Sequence, residues 1–281
     1  MESIDMKKIL KKAAALLLTL LLGALVLVSG CGEEGRAGYR SVDERPKLVV
    51  GSDVYPPFNY IDENGRPTGI DVDLAKEACR RMGYKVEFDT INWEDKNKLL
   101  ETGEVDCLWG SFSMKGRLDQ YRWAGPYMLS KQVVAVNDSS AIYKLSDLAG
   151  KLIVVQTTTK PEEIFMKRTD SRIPRVGKVY SMENRDLMFA MLGKGYVDAL
   201  AMHESAIRQY NKEVSTHYRI LDEYLLYTGL GVAFAKNDER GIAEKLNKTL
   251  EEMHKDGTTR KIVAKYLDEP DRYLEVERSG S

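Results

Sequence analysis

Cys107 to Arg117 reads CLWGSFSMKGR, an apolar run that gives way to small polar residues and then to Lys115-Gly116-Arg117. A guanidinium can hold a carboxylate through two parallel hydrogen bonds, most firmly where water is excluded. A strand ending in Gly110, Ser111, Phe112 and Ser113 just ahead of Arg117 is therefore not built only to fill a core. Three other stretches have comparable chemistry. Gln156-Thr157-Thr158-Thr159-Lys160-Pro161 runs from a strand into a helix start, where free N–H groups favour a carboxylate or phosphate, although an ordinary threonine cap reads equally well. Gly51-Ser52-Asp53-Val54-Tyr55-Pro56-Pro57-Phe58 leaves another strand, and its prolines fix the backbone that carries Tyr55 and Phe58. His203 and Glu204, side by side, form a potential acid and base, though adjacent titratable residues are common at helix starts.

The elements that must position these residues alternate along the chain. KLVVGSD (47 to 53) and KVEFDTI (85 to 91) have the pattern of strands, and a helix from about Asp71 to Met82 lies between them. Leu74, Ala78 and Met82 recur on one face, with Asp71 as its cap and Gly83 as its end. A helix from about Glu94 to Thr102 follows, opened by Trp93 and stopped by Gly103, and then the strand VDCLWGS. After Asp138 the pattern resumes with a strand KLIVVQ (151 to 156), a helix from Pro161 to about Thr169, and another over Glu183 to Leu192 closed by Gly193. VDALAM (197 to 202) is a strand that leads into a helix near Glu204. GLGVAFAK (229 to 236) precedes a helix over Asp238 to His254, and Gly257 separates that from the last one. Two βαβ sets predict two α/β lobes with ligands outside the carboxyl ends of the strands.

Composition narrows the class. The chain has 281 residues, with 42 Lys and Arg against 43 Asp and Glu. Such a balance, with no basic block in the body of the chain, argues against a nucleic-acid partner. No spacing of cysteine or histidine suggests a metal site, and no cofactor is expected. Cys79 and Cys107 read as buried free thiols, with a bridge as the minority reading. Lys7, Lys8, Lys11 and Lys12 precede the apolar run Ala13 to Val28, which ends at Ser29-Gly30-Cys31. That is the layout of a secretory signal peptide. The rival, an uncleaved membrane helix, would need roughly 20 apolar residues.

Two resemblances sharpen these readings. Val28-Ser29-Gly30-Cys31 resembles the lipobox of bacterial lipoproteins, which implies lipidation at Cys31 and a flexible tether over 31–45. YPPFNYIDENGRPTGIDVDLAKEACRRMGY is similar to the opening of the family 3 extracellular solute-binding proteins, the amino-acid receptors of bacterial ABC importers. The similarity continues through VDCLWGSFSMKGR, DLAGKLIVVQTTTKPEE, GYVDALAMHESAI and GLGVAFAKND, roughly residues 46 to 268.

The resemblance implies a periplasmic-binding-protein-like fold of type II, with two α/β lobes joined by a two-strand hinge. Lobe 1 would be 46–131 plus 229–268 and lobe 2 would be 132–228, between a signal peptide over 1–30 and a C-terminal tail over 269–281. It implies a monomer, anchored by lipid on the extracytoplasmic face of the cell membrane, that binds an amino acid or related carboxylate and delivers it to an ABC permease. By the same resemblance Tyr55 and Trp93 sandwich the ligand, Asp53 stands beside it, and Ser111 and Ser113 offer backbone and hydroxyl contacts. Arg117 binds the α-carboxylate, although its spacing from Ser111 is one residue shorter than usual. Thr159 and Lys160 replace a pair of hydroxyl residues, and His203 stands where an aspartate usually receives the ammonium, with Glu204 or Asp53 as substitutes. The same fold also serves dehydratases and the input domains of signalling receptors. A cleft enzyme using His203 and Glu204, or a ligand-sensing subunit, is therefore the alternative.

Overall fold

The computed structural model describes residues 44–214 and 217–274. The leader, the lipidation cysteine Cys31, nearly all of the 31–45 tether and the end of the tail lie outside the described residues. Among the described residues no helix is long and apolar enough to cross a membrane.

The first half is built on β1 (Lys47–Ser52), β4 (Lys85–Thr90) and β5 (Cys107–Leu108), with β1 parallel to both neighbours. A small hairpin, β2 (Tyr60–Ile61) and β3 (Pro67–Thr68), precedes helix α1 (Ile70–Met82), and α2 (Lys96–Thr102) follows a single turn over Trp93–Asp95. Leu74, Ala78 and Met82 are buried on one face of α1, and left-handed Gly83 ends it. The second half repeats the plan with β7 (Leu152–Gln156), α3 (Lys160–Lys167), β8 (Lys178–Met182), α4 (Arg185–Gly193), β9 (Ala199–His203) and α5 (Glu204–Glu213). Here β7 runs parallel to β8 and β9. The chain returns to the first half with α6 (Ile242–Lys255) and α7 (Thr258–Val263).

Two strands longer than any expected from the sequence connect the halves. β6 (Arg122–Asn137) and β10 (Tyr218–Phe234) pair antiparallel over most of their length. One end of this ribbon meets β5 through Ala233 and Leu108, and the other meets β9 from Gln132–His203 to Val136–Ala199. The resulting strand order is β4-β1-β5-β10-β6-β9-β7-β8. This is the two-lobed α/β fold with a two-strand connection. Ile91, Trp93, Leu108 and Phe112 belong to one apolar cluster of the first lobe, while Val134, Ile153, Val155 and Phe165 belong to one of the second.

Several expected boundaries move for local reasons. Asp71 is inside α1, because Gly69, at φ 119, already begins the helix and its missing Cβ would fall 2.2 Å from the Phe58 carbonyl oxygen. The strand at VDCLWGS shortens to Cys107–Leu108 before Ser111, at φ 47, turns the chain away. Asn184 caps α4 by accepting the Leu187 N–H at 2.9 Å, so this helix starts at Arg185 rather than Glu183 and includes Gly193. Asp238 forms a turn with Arg240, and α6 begins only after left-handed Gly241. Cys79 and Cys107 are buried free thiols.

Candidate functional site

The ends of β1, β4, β5, β7 and β9 bring side chains to one cavity. From the end of β1, Tyr55 is locked by a tight turn in which the Phe58 N–H donates to the Tyr55 carbonyl at 2.7 Å. The Tyr55 hydroxyl accepts the His203 backbone N–H at 3.2 Å, so the first wall reaches the second lobe directly. Trp93 lines the same cavity, edge-on to Phe112 with ring centroids 5.1 Å apart.

The wall after β5 is positioned by a buried carboxylate. Asp71 Oδ2 accepts the Ser111 N–H at 2.7 Å, which holds the left-handed Ser111 backbone in place. Burial pushes the Asp71 carboxyl up to about 6, against the Ser111 N–H bond that favours its charged form. Gly110, Ser111, Phe112 and Ser113 then line the cavity. Arg117 closes this wall, its guanidinium carbon 4.9 Å from the Phe112 ring centroid. It donates to the Ser113 carbonyl at 3.3 Å and to the Thr158 carbonyl at 3.4 Å, both long bonds. Among the described residues it forms no ion pair, and burial lowers its pKa.

The β7 end contributes Gln156, Thr158, Thr159 and Lys160. The threonine cap takes another form than expected. Thr159 Oγ1 donates back to the Gln156 carbonyl at 2.6 Å, and Glu162 accepts the Thr158 N–H at 2.6 Å. Lys160 lines the cavity while pairing with Glu163 at 2.7 Å. Lys96, 4 % exposed, donates to Thr158 Oγ1 at 2.8 Å and to the Trp93 carbonyl at 3.1 Å. Burial, and then nearby Arg117, lower it to about 8.

The β9 end brings in His203, whose ring lies 5.6 Å from that of Tyr55. Its Nδ1 is 2.7 Å from Ser130 Oγ and its Nε2 is 2.8 Å from Gln132 Nε2. An amide N–H beside Nε2 makes that nitrogen the acceptor, so a neutral ring with its proton on Nδ1 satisfies both contacts. Burial, reinforced by Arg185, pushes the imidazole down to about 3. Glu204 does not share the cavity. Its carboxylate turns to Arg208 at 2.6 Å and lines a different cavity with Leu129 and Tyr227, since consecutive residues at a helix start point in different directions.

Asp53 also does not line this cavity but an adjoining one with Trp93, Gln156 and Arg185, for a reason the sequence hid. Arg185, the first residue of α4, pairs with Asp53 at 2.7 Å and lays its guanidinium carbon 3.3 Å from the Tyr55 ring centroid. Gln156 joins this group, with Nε2 donating to Asp53 and Oε1 accepting from Arg185, both at 2.7 Å. Arg185 and Gln132 are thus cleft residues that motif reasoning missed, while Gln156 and Thr158 lie in the stretch it singled out. One signal was present in the sequence: a cation directly after an asparagine helix cap opposes the helix dipole, and such a placement calls for a carboxylate partner.

The arrangement can hold a small anion in a cavity between two lobes, with aromatic rings against its body. Residues 48–269 match the bacterial extracellular solute-binding proteins, family 3. The probable amino-acid-binding protein YxeM of Bacillus subtilis is 25% identical over 249 residues, covering 87% of this chain and 92% of that one. An ancestral arginine-binding protein solved with arginine is 31% identical with a TM-score of 0.71, covering 79% of this chain and 99% of that one. An ancestral amino acid-binding protein described as a precursor of cyclohexadienyl dehydratase is 29% identical, also with a TM-score of 0.71, covering 80% and 97%. Motif order, fold and cleft agree with these likenesses, and the chain belongs to the bacterial extracellular solute-binding proteins, family 3.

Proposed function

We propose that this chain is a lipid-anchored extracytoplasmic receptor that encloses an amino acid or related carboxylate between its lobes and hands it to an ABC permease. In this reading lobe 1 comprises 46–131 plus 229–268, lobe 2 comprises 132–228, and Cys31 carries the lipid. The lobes close on the solute by bending the β6–β10 ribbon.

One observation carries the reading. Arg117 is a buried cation in the cleft whose bonds, to two carbonyl oxygens at 3.3 and 3.4 Å, are weak, so its best partner is a carboxylate brought in by a ligand. Tyr55 and Trp93 supply the aromatic surface around it, and Ser111 and Ser113 the polar contacts. The receptor is favoured over an acid–base enzyme because His203 is held neutral while Glu204 faces another cavity.

A thermal-shift panel of the twenty amino acids and small carboxylates tests it. At least one should raise the melting temperature, as a native-state ligand must. Arg117→Ala should weaken that ligand about 100-fold, the effect of losing a charged bidentate contact worth roughly 3 kcal/mol. Undiminished affinity in the variant would show that Arg117 does not hold the carboxylate.

A further inference from the structure

The cleft has an excess of positive charge that an ordinary zwitterion does not match. Arg117, Lys160 and Arg185 line it, and among the described residues no carboxylate does. Lys160 is matched by Glu163 and Arg185 by Asp53. Arg117 remains, and Lys96, which does not itself line the cavity, is bonded to the same Thr158; neither has an ion-pair partner among the described residues. Carboxylates act on them only from further away: Glu163 on Arg117, and Asp53, Glu162 and Glu94 on Lys96. Two buried cations without ion pairs, one lining the cleft and one next to it, are costly, and a ligand carrying negative charge offsets that cost.

The side that would receive an ammonium has the opposite defect. His203 offers no negative charge, and Asp53 is already engaged by Arg185 and Gln156. Gln132 Oε1, buried without a partner, is a neutral acceptor. Arg185 Nε is likewise buried without a partner, a free donor beside Tyr55.

We propose that the solute is a small dicarboxylate, with one carboxylate on Arg117 beside Lys96 and the second at the edge of Arg185. This rests on the receptor reading and names its substrate class. Arg185 is then the specificity residue: by neutralising Asp53 and laying a guanidinium on Tyr55, it occupies the place a cationic ligand side chain would need.

Calorimetric titration of the full chain in detergent tests this with L-aspartate, L-glutamate, succinate and 2-oxoglutarate against L-glutamine, L-arginine and L-lysine. The best dicarboxylate should bind at least tenfold tighter than L-glutamine, and the cationic amino acids should bind least. Binding of aspartate or glutamate alone would support the proposal with the amine on Gln132, and equal binding of succinate would support it with no role for an amine. L-glutamine or L-arginine binding as tightly as any dicarboxylate overturns it and leaves the receptor reading intact, whereas no binding by any solute overturns both. Arg185→Gln should weaken the dicarboxylate at least tenfold and strengthen L-arginine by freeing Asp53. An unchanged order of preference in that variant would remove Arg185 from the assignment.

Discussion

His203 shows how a fold can remove a charge without removing the residue. Neutral imidazole is favoured by burial and by Arg185, and its folded pKa of about 3 lies below the ordinary 6.5. Between these values the unfolded chain binds the extra proton and the folded chain does not. The contribution to stability is therefore present above about pH 6.5 and lost as pH falls toward 3, by up to about 1.4 kcal/mol per pH unit across the interval. His203→Gln, which keeps polar atoms for Ser130 and Gln132, should flatten the fall in unfolding free energy between pH 6.5 and 4. Urea melts across that range measure it, and parallel curves for the two proteins would contradict a neutral His203. At this scale the sequence was informative where chemistry is local. Arg117 drew notice because a guanidinium follows a small-residue strand end, its carboxylate role came from the family resemblance, and it does line the cleft. Asp53 was not, because the partner that engages it stands 132 residues away. Glu204 was readable as a residue but not as a direction.

Among the elements, α1 and the strand end after β5 are coupled through Asp71. The carboxylate that seats Ser111 belongs to a helix whose other buried positions are apolar or small, and it also accepts from Asn59 Nδ2 at 3.2 Å. Its folded pKa, raised to about 6, means that the folded chain holds a proton longer than the unfolded one. That contribution is full below the usual carboxylate value and is lost as pH rises through about 6. Asp71→Asn keeps an acceptor for the Ser111 N–H and removes the titration. The variant should gain stability relative to the parent as pH rises from 4 to 7.5, by up to about 3 kcal/mol. A gain by the parent over that range, measured in the same urea titrations, would reverse the assigned sign. The sequence revealed α1 through its apolar period but placed Asp71 at its cap, because a carboxylate in the first turn ordinarily serves there. It also under-read β6 and β10. Gly125-Pro126 interrupts one, and register shifts at Ile220/Tyr224, Tyr224/Leu226 and Leu230/Val232 break the alternation of the pair. No period-2 pattern survives long enough to mark them as continuous strands.

For the whole molecule, polar contacts run directly from one proposed lobe to the other. Asp53 pairs with Arg185, Lys96 reaches Thr158, and the Tyr55 hydroxyl accepts the His203 N–H. These contacts favour closure, while the unmatched charge of Arg117 and Lys96 opposes it. A solute shifts such an equilibrium only by its differential affinity for the closed form. A dicarboxylate supplies that difference by matching the cations, and opening exposes them to water again. Asp53→Asn removes one closing contact and adds a further unmatched cation at Arg185. The unliganded variant should therefore be more open than the parent, with a larger radius of gyration in solution scattering. Saturating dicarboxylate should return it to the parent's liganded value, because the ligand's second carboxylate still reaches Arg185 and takes over the pairing that Asp53 supplied. Identical scattering from parent and variant, with and without solute, would mean that the Asp53–Arg185 pair does not control closure.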